Sequence, residues 1–228
     1  MSRPERWLAA ALLPLGPAAI AVLRLVLPYD TTDDAAVVVR KVAAAPDTQS
    51  LVVWLGFLGV LTLVPAVLAA GRLTRPAAPR TTAAAMLLLV PAYLSLGLLV
   101  AGDAGVLFGV KEHLPEPVVA RLFEAVHPTT VVAGVVFVVG HVAGTVLLGV
   151  ALWISGAVPR WAAVLTALAQ PLHFVAAVVL ASHPLDFAAW GCNAVGFAAV
   201  AVALLRLPRN TSVDTGSQRP AIAGSSST

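Results

Sequence analysis

Apolar residues along this chain fall into six long runs, 7–28, 50–70, 81–102, 129–155, 161–182 and 187–207, separated by short polar breaks. A helix rising about 1.5 Å per residue needs roughly 20 apolar residues to cross a bilayer, and every run is that long. The pattern predicts an all-α polytopic membrane protein. Its six transmembrane helices form one domain over 1–207, arranged as three hairpins. The segment 208–228, rich in Ser, Thr and Gly, cannot bury a core and predicts a disordered cytoplasmic tail. No room is left for a soluble catalytic domain.

Two longer breaks predict short amphipathic helices on the outer surface. Thr32 is placed to cap the first, with Asp33 and Asp34 in its opening turn, Arg40 and Lys41 near its end, and Pro46 as its stop. Pro115 and Pro117 open the second. There Val118, Val119, Leu122, Phe123 and Val126 share one face, opposite Glu116, Arg121 and Glu124.

The runs also repeat. Each odd-numbered span starts at an arginine and carries a proline eleven residues on: Arg6 and Pro17, Arg80 and Pro91, Arg160 and Pro171. Each even-numbered span follows a proline: Pro46, Pro128 and Pro184. Three related hairpins are expected, with the first span retained although Ala19-Ile20-Ala21 resembles a signal cleavage site. The mid-span prolines free carbonyls near Leu13, Leu87 and Ala167, and they are read as packing devices.

Composition agrees with this picture: 59% of the 228 residues are hydrophobic and 11% charged, against about 25% charged in soluble domains. Charge then orients the helices, because arginine and lysine collect on the cytoplasmic side. Arg3, Arg6, Arg72, Arg75, Arg80, Arg160, Arg206, Arg209 and Arg219 all fall on one side, which predicts cytoplasmic termini and a multi-pass protein of the inner (plasma) membrane. The other side mixes Arg24, Arg40, Lys41, Lys111 and Arg121 with most of the carboxylates. Trp7, Trp153 and Trp161 at one set of ends, and Tyr29 and Trp190 at the other, predict an aromatic belt. The net charge of +3 is thereby spread over loops, and nucleic acid is excluded as a partner. Twelve arginines against two lysines, with abundant alanine and valine, point to a high-GC bacterial genome.

Candidate chemistry is confined to polar residues inside the spans. Thr166, Gln170 and His173 fall at i, i+4 and i+7 on one face of the fifth span. His141 and Thr145 share a face of the fourth with Gly140 and Gly144, a GxxxG pair that admits a close neighbour. Asn193 offers a polar position in the sixth, and Tyr93 stands two residues past Pro91 as His173 does past Pro171. Counting places His141 roughly 20 Å below the end of its helix and His173 roughly 15 Å below His183. The candidate intramembrane polar site is therefore His141, Thr145, Thr166, Gln170, His173 and Asn193, between the fourth, fifth and sixth helices.

Three readings of the two histidines stay open. They could ligate a b-type haem, belong to a proton or ion relay, or be neutral rings bonded to a carbonyl near Ala167, to Thr145 or to Asn193. No carboxylate is expected inside the membrane, and Arg24 is expected to snorkel outward or pair with an outer carboxylate such as Asp30. His113, His127 and His183, with Glu116, Glu124 and Asp186, match no compact metal motif. Cys192 is read as a packing residue. Motifs for nucleophile turns, zinc proteases and phosphate loops are absent from the sequence, so catalysis is not expected. The partners expected are the lipid bilayer and a small molecule or another membrane protein.

The stretch Gly140-His141-Val142-Ala143-Gly144-Thr145-Val146-Leu147-Leu148-Gly149, followed by Val158-Pro159-Arg160-Trp161-Ala162, resembles uncharacterised families of small six-span bacterial integral membrane proteins, actinobacterial in type. The resemblance implies a six-helix membrane protein and brings no activity or functional residues with it.

Overall fold

A computed structural model describes residues 3–206, all helical with no strand among them; the tail expected over 208–228 lies outside the described residues. The helices are α1 (Arg3–Val26), α2 (Ala35–Ala44), α3 (Pro46–Thr74), α4 (Pro79–Lys111), α5 (Glu116–Glu124), α6 (Pro128–Ser155), α7 (Arg160–Phe174) and α8 (His183–Arg206). A π-helical turn, Val175–Val179, continues α7. Six of these are long and apolar enough to cross a membrane: α1, α3, α4, α6, α7 with its π turn, and α8.

Local chemistry sets their ends. Pro46, Pro79 and Pro128 open α3, α4 and α6, where a missing amide proton costs nothing. Gly156 ends α6 with φ 61°, in the left-handed region that glycine adopts without a Cβ clash. The α3–α4 turn is tied by the Thr74 and Thr82 hydroxyls at 2.8 Å.

Packing follows the chain around a ring. α1 lies on α3, α3 on α4, α4 on α6, α6 on α7 and α7 on α8, and α8 closes on α1. Small residues allow the closest approaches. A Cβ on Gly140 would stand 2.7 Å from the Leu88 carbonyl oxygen, one on Gly144 2.7 Å from Leu89, and one on Gly149 2.6–2.7 Å from Ala167 atoms. The GxxxG pair therefore seats α6 on α4, and Gly149 seats it on α7. In the other half of α6, a Cβ on Gly134 would meet nothing within 4 Å. The helix is clamped at one end and stands off from its neighbours at the other.

α2 and α5 cap the end where α6 stands off. Val38, Val39 and Val42 of α2 pack with Val106 and Leu107 of α4 and Val119 of α5 in a core of their own. This explains why α4 runs nine residues beyond the expected 102: protein buries its last turns, so lipid need not. The cap of α2 also differs from expectation. Asp34, not Thr32, accepts the Val37 amide at 2.8 Å, because the helix starts at Ala35 and Asp34 stands directly before it; the Asp33 carboxylate accepts from the Asp30 amide and from Lys41. That bond to Lys41 holds Asp33 below its ordinary 3.8 and Lys41 above its ordinary 10.5.

The tryptophans expected in an aromatic belt divide between surface and interior. Trp7, Trp153 and Trp161 are exposed on the bundle surface, and Arg160 stacks over Trp153 at 5.1 Å. Trp190 is not a belt residue: it is 1% exposed, and its ring packs between helices against two histidines.

Candidate functional site

Three helix ends place three charged or polar groups together. Asp186 stands in the first turn of α8, where the unpaired amides and the helix dipole favour a carboxylate. His173 stands two residues before the π segment that continues α7, thirteen residues before Asp186 in the chain. The intervening turn is tight, with Ala181 at φ 46° and the Ser182 amide bonded to the Ala176 carbonyl at 2.9 Å. It folds α8 back so that His173 Nδ1 meets one Asp186 oxygen. The other oxygen accepts from Nε of Arg24, on the last turn of α1. Arg24 also donates through Nη2 to Thr31 at 2.7 Å. Asp186 is wholly buried, and the Arg24 and His173 side chains are 14% and 12% exposed. A buried carboxylate is tolerable only when it is paired in this way. π-helical turns such as Val175–Val179 are frequent beside functional sites.

His141 joins from α6. Its Nδ1 lies 2.5 Å from the Phe137 carbonyl one turn back, and its ring stacks on Phe137 with centroids 4.3 Å apart. The His141 and His173 centroids are 5.4 Å apart, and Trp190 completes the cluster at 6.4 and 5.5 Å from them. His141 Nε2 and Trp190 Nε1 are buried with no hydrogen-bond partner among the described residues.

These groups form one wall of a cavity of about 750 Å³ beneath α5, in the half of the bundle where α6 stands off. The other walls are apolar, with Leu23, Leu99, Phe123, Phe137, Phe174 and Ala177 among them. Near the cap a second polar pair lines it: the Tyr29 hydroxyl donates to Asp103 of α4. Burial, reinforced by the Asp103 carboxylate, holds the Tyr29 hydroxyl well above its ordinary 10.0. A group raised in this way stabilises the fold fully below pH 10.0, and its contribution is lost as pH rises beyond that. The chain has two tyrosines, and the other, Tyr93, is fully buried in α4. An alkaline titration should therefore show no phenolate absorbance at pH 10.0 in the folded protein; phenolate formation by half a tyrosine before unfolding would contradict the Tyr29–Asp103 bond.

The predicted residues separate into two groups. His141 and His173 come together on the cavity wall. Thr145, Thr166, Gln170 and Asn193 are buried between helices and do not line it. Thr166 donates to the Ala162 carbonyl at 2.9 Å and abuts Gly196, where an added Cβ would stand 2.4 Å from its Oγ1. Neither histidine takes a partner expected for it: Phe137 and Asp186 replace the carbonyl near Ala167, Thr145 and Asn193.

Several expectations are corrected. Arg24 does pair with a carboxylate, but with Asp186 and not Asp30, whose carboxylate takes Lys41 at 3.0 Å and His183 Nε2 at 3.2 Å. Carboxylates do lie inside the spanning helices, since Asp186 belongs to α8 and Asp103 to α4. Nor does the polar centre belong to the last three spans alone, because α1 contributes Arg24. Sequence reasoning missed Asp186, Arg24 and Asp103; an arginine inside an apolar run needs a counterion, and that need was the available signal. Of the surface histidines, His113 and His127 are exposed, and Asp186 turns inward, away from them.

A haem does not fit His141 and His173. Axial ligation needs two imidazoles on opposite faces of a flat macrocycle, whereas these rings lie 5.4 Å apart, tilted by 54°, and pack on the same tryptophan. Cys192 is free and half-buried in α8. Compared with protein-family models, curated proteins and solved structures, the chain has no match, so the functional reading rests on geometry.

Proposed function

We propose that this is a non-enzymatic integral membrane protein of the bacterial plasma membrane that binds a small amphipathic, lipid-like molecule in the cavity beneath α5, in a transport or accessory role. The supporting observation is the cavity itself. Its volume of about 750 Å³ falls within the roughly 300–1,000 Å³ of ligand sites, which are apolar with a few convergent polar groups. Access from the lipid side is consistent with α5, whose Val118 and Leu122 are exposed. In the orientation we favour, both termini are cytoplasmic. Arg72, Arg75, Arg80 and Arg160 then face the cytoplasm, and the α2–α5 cap lies outside. Three hairpins related by the arginine and proline spacing would build this arrangement.

Filling the cavity tests the reading. Gly102 of α4 lines it, and a Cβ there would meet only Phe123, at 4.0 Å. Gly102→Phe should weaken binding of a fluorescent long-chain lipid probe by about tenfold or more, since one lost ring-sized contact exceeds about 1.4 kcal/mol. Thermal stability should hold or rise, because glycine inside a helix costs up to about 1 kcal/mol. A folded Gly102→Phe protein with unchanged affinity would remove the cavity as the binding site.

A further inference from the structure

Resting on the cavity reading, we infer that the ligand's head is an uncharged hydroxyl, on an aliphatic chain or an aromatic ring, held by His141, His173 and Trp190. Charge balance comes first. The Arg24 guanidinium on the wall is neutralised by Asp186, and both oxygens of Asp186 are engaged, by Arg24 and by His173. Neither a free cation nor a free anion faces the ligand at this wall.

Hydrogen-bond direction comes second. A carbonyl oxygen only accepts, so His141 Nδ1 at 2.5 Å from Phe137 O must carry a proton. His173 Nδ1 likewise donates to the Asp186 carboxylate. With the Arg24–Asp186 pair already neutral, a neutral His173 ring leaves the three groups balanced. Both rings are then Nδ1–H tautomers, and both Nε2 atoms carry a lone pair. His141 is 1% exposed and its Nε2 has no partner. Trp190, also 1% exposed, can only donate, and its Nε1–H has none. A buried polar atom left unpaired costs about 1–3 kcal/mol, so these atoms carry an unmet demand.

A hydroxyl meets both demands: it gives its proton to an imidazole Nε2 and accepts from an indole N–H, and His141, His173 and Trp190 all line the cavity. A ketone or ether offers no proton to the imidazoles. The apolar walls then take the rest of the molecule. Lipophilic alcohols and alkyl phenols both carry this head, and both fit the cavity chemistry.

The test is a binding series on purified protein in detergent, read by competition with the fluorescent probe. Dodecanol and an alkyl phenol should bind about tenfold more tightly than their methyl ethers, as expected for one hydrogen bond to a buried acceptor; the tighter of the two identifies the source. Dodecylamine and laurate, which could address Asp103 or Arg24, should bind more weakly than the alcohol. His141→Phe, which removes the unpartnered acceptor, should bring alcohol and ether to equal affinity. Equal binding of alcohol and ether to the unaltered protein overturns the hydroxyl assignment and leaves the cavity reading standing, as does tighter binding of the amine or the acid. Failure of every compound to displace the probe removes both. The comparison within the unaltered protein decides the matter even where His141→Phe does not fold.

Discussion

Asp186→Ala is expected to destabilise the detergent-solubilised protein by about 3–5 kcal/mol, the cost of stranding the partner of a buried ion pair. Asp186 is wholly buried and holds Arg24 on one oxygen and His173 on the other. Its loss leaves a guanidinium, 14% exposed, inside an apolar bundle with only Thr31 as partner, and frees the His173 tautomer. Arg24→Met alone should be costly for the reciprocal reason. The double variant should recover part of the loss, with a coupling of up to about 3 kcal/mol in the cycle, because removing both charges removes the stranded one. Unfolding monitored by circular dichroism measures all three. A loss below about 1 kcal/mol for Asp186→Ala would place the pair among solvent-screened surface bridges and would dissolve the argument that it organises the wall.

The second large effect is expected at Gly149. A Cβ there would lie 2.6–2.7 Å from the Cβ, Cα and amide nitrogen of Ala167, closer than real contacts allow, and backbone cannot rotate aside as a side chain can. Gly149→Leu should force α6 from α7 and cost about 3 kcal/mol or more, at the upper end of overpacking effects. Gly134→Leu, on the same helix but facing open space, should be neutral or slightly stabilising. The contrast between the two, measured in the same unfolding assay, isolates packing from helix propensity. Equal effects would mean that α6 is not clamped around Gly149, and the origin of the cavity would need another explanation.

Much of the fold was legible before any coordinates. Six apolar runs become six long helices, Pro46 and Pro128 open helices as expected, and the Gly140–Gly144 pair meets a neighbouring helix. The local errors have local causes. α4 overshoots its apolar run because α2 and α5 bury its last turns. Asp34 takes the capping role expected of Thr32 because α2 starts at Ala35, directly after it. The histidine pair was visible as two polar positions at matching depth, while its partners were not. Asp186 reads in the sequence as a loop residue beside Pro184, and Arg24 as a snorkelling end residue.

Sequence by itself determined the solvent this protein chooses and the length of its elements, because hydrophobic transfer and helical rise act on one segment at a time. Only the tertiary structure decided that α8 closes on α1, which brings Arg24 to Asp186 across 162 positions. It also decided that Trp190 faces inward, and that α6, pinned by glycines at one end and released at the other, leaves a cavity walled by His141 and His173. Those outcomes depend on which helix faces meet. Apolar faces of similar composition are nearly interchangeable in lipid, so close packing at glycines and the pairing of buried charge select among them.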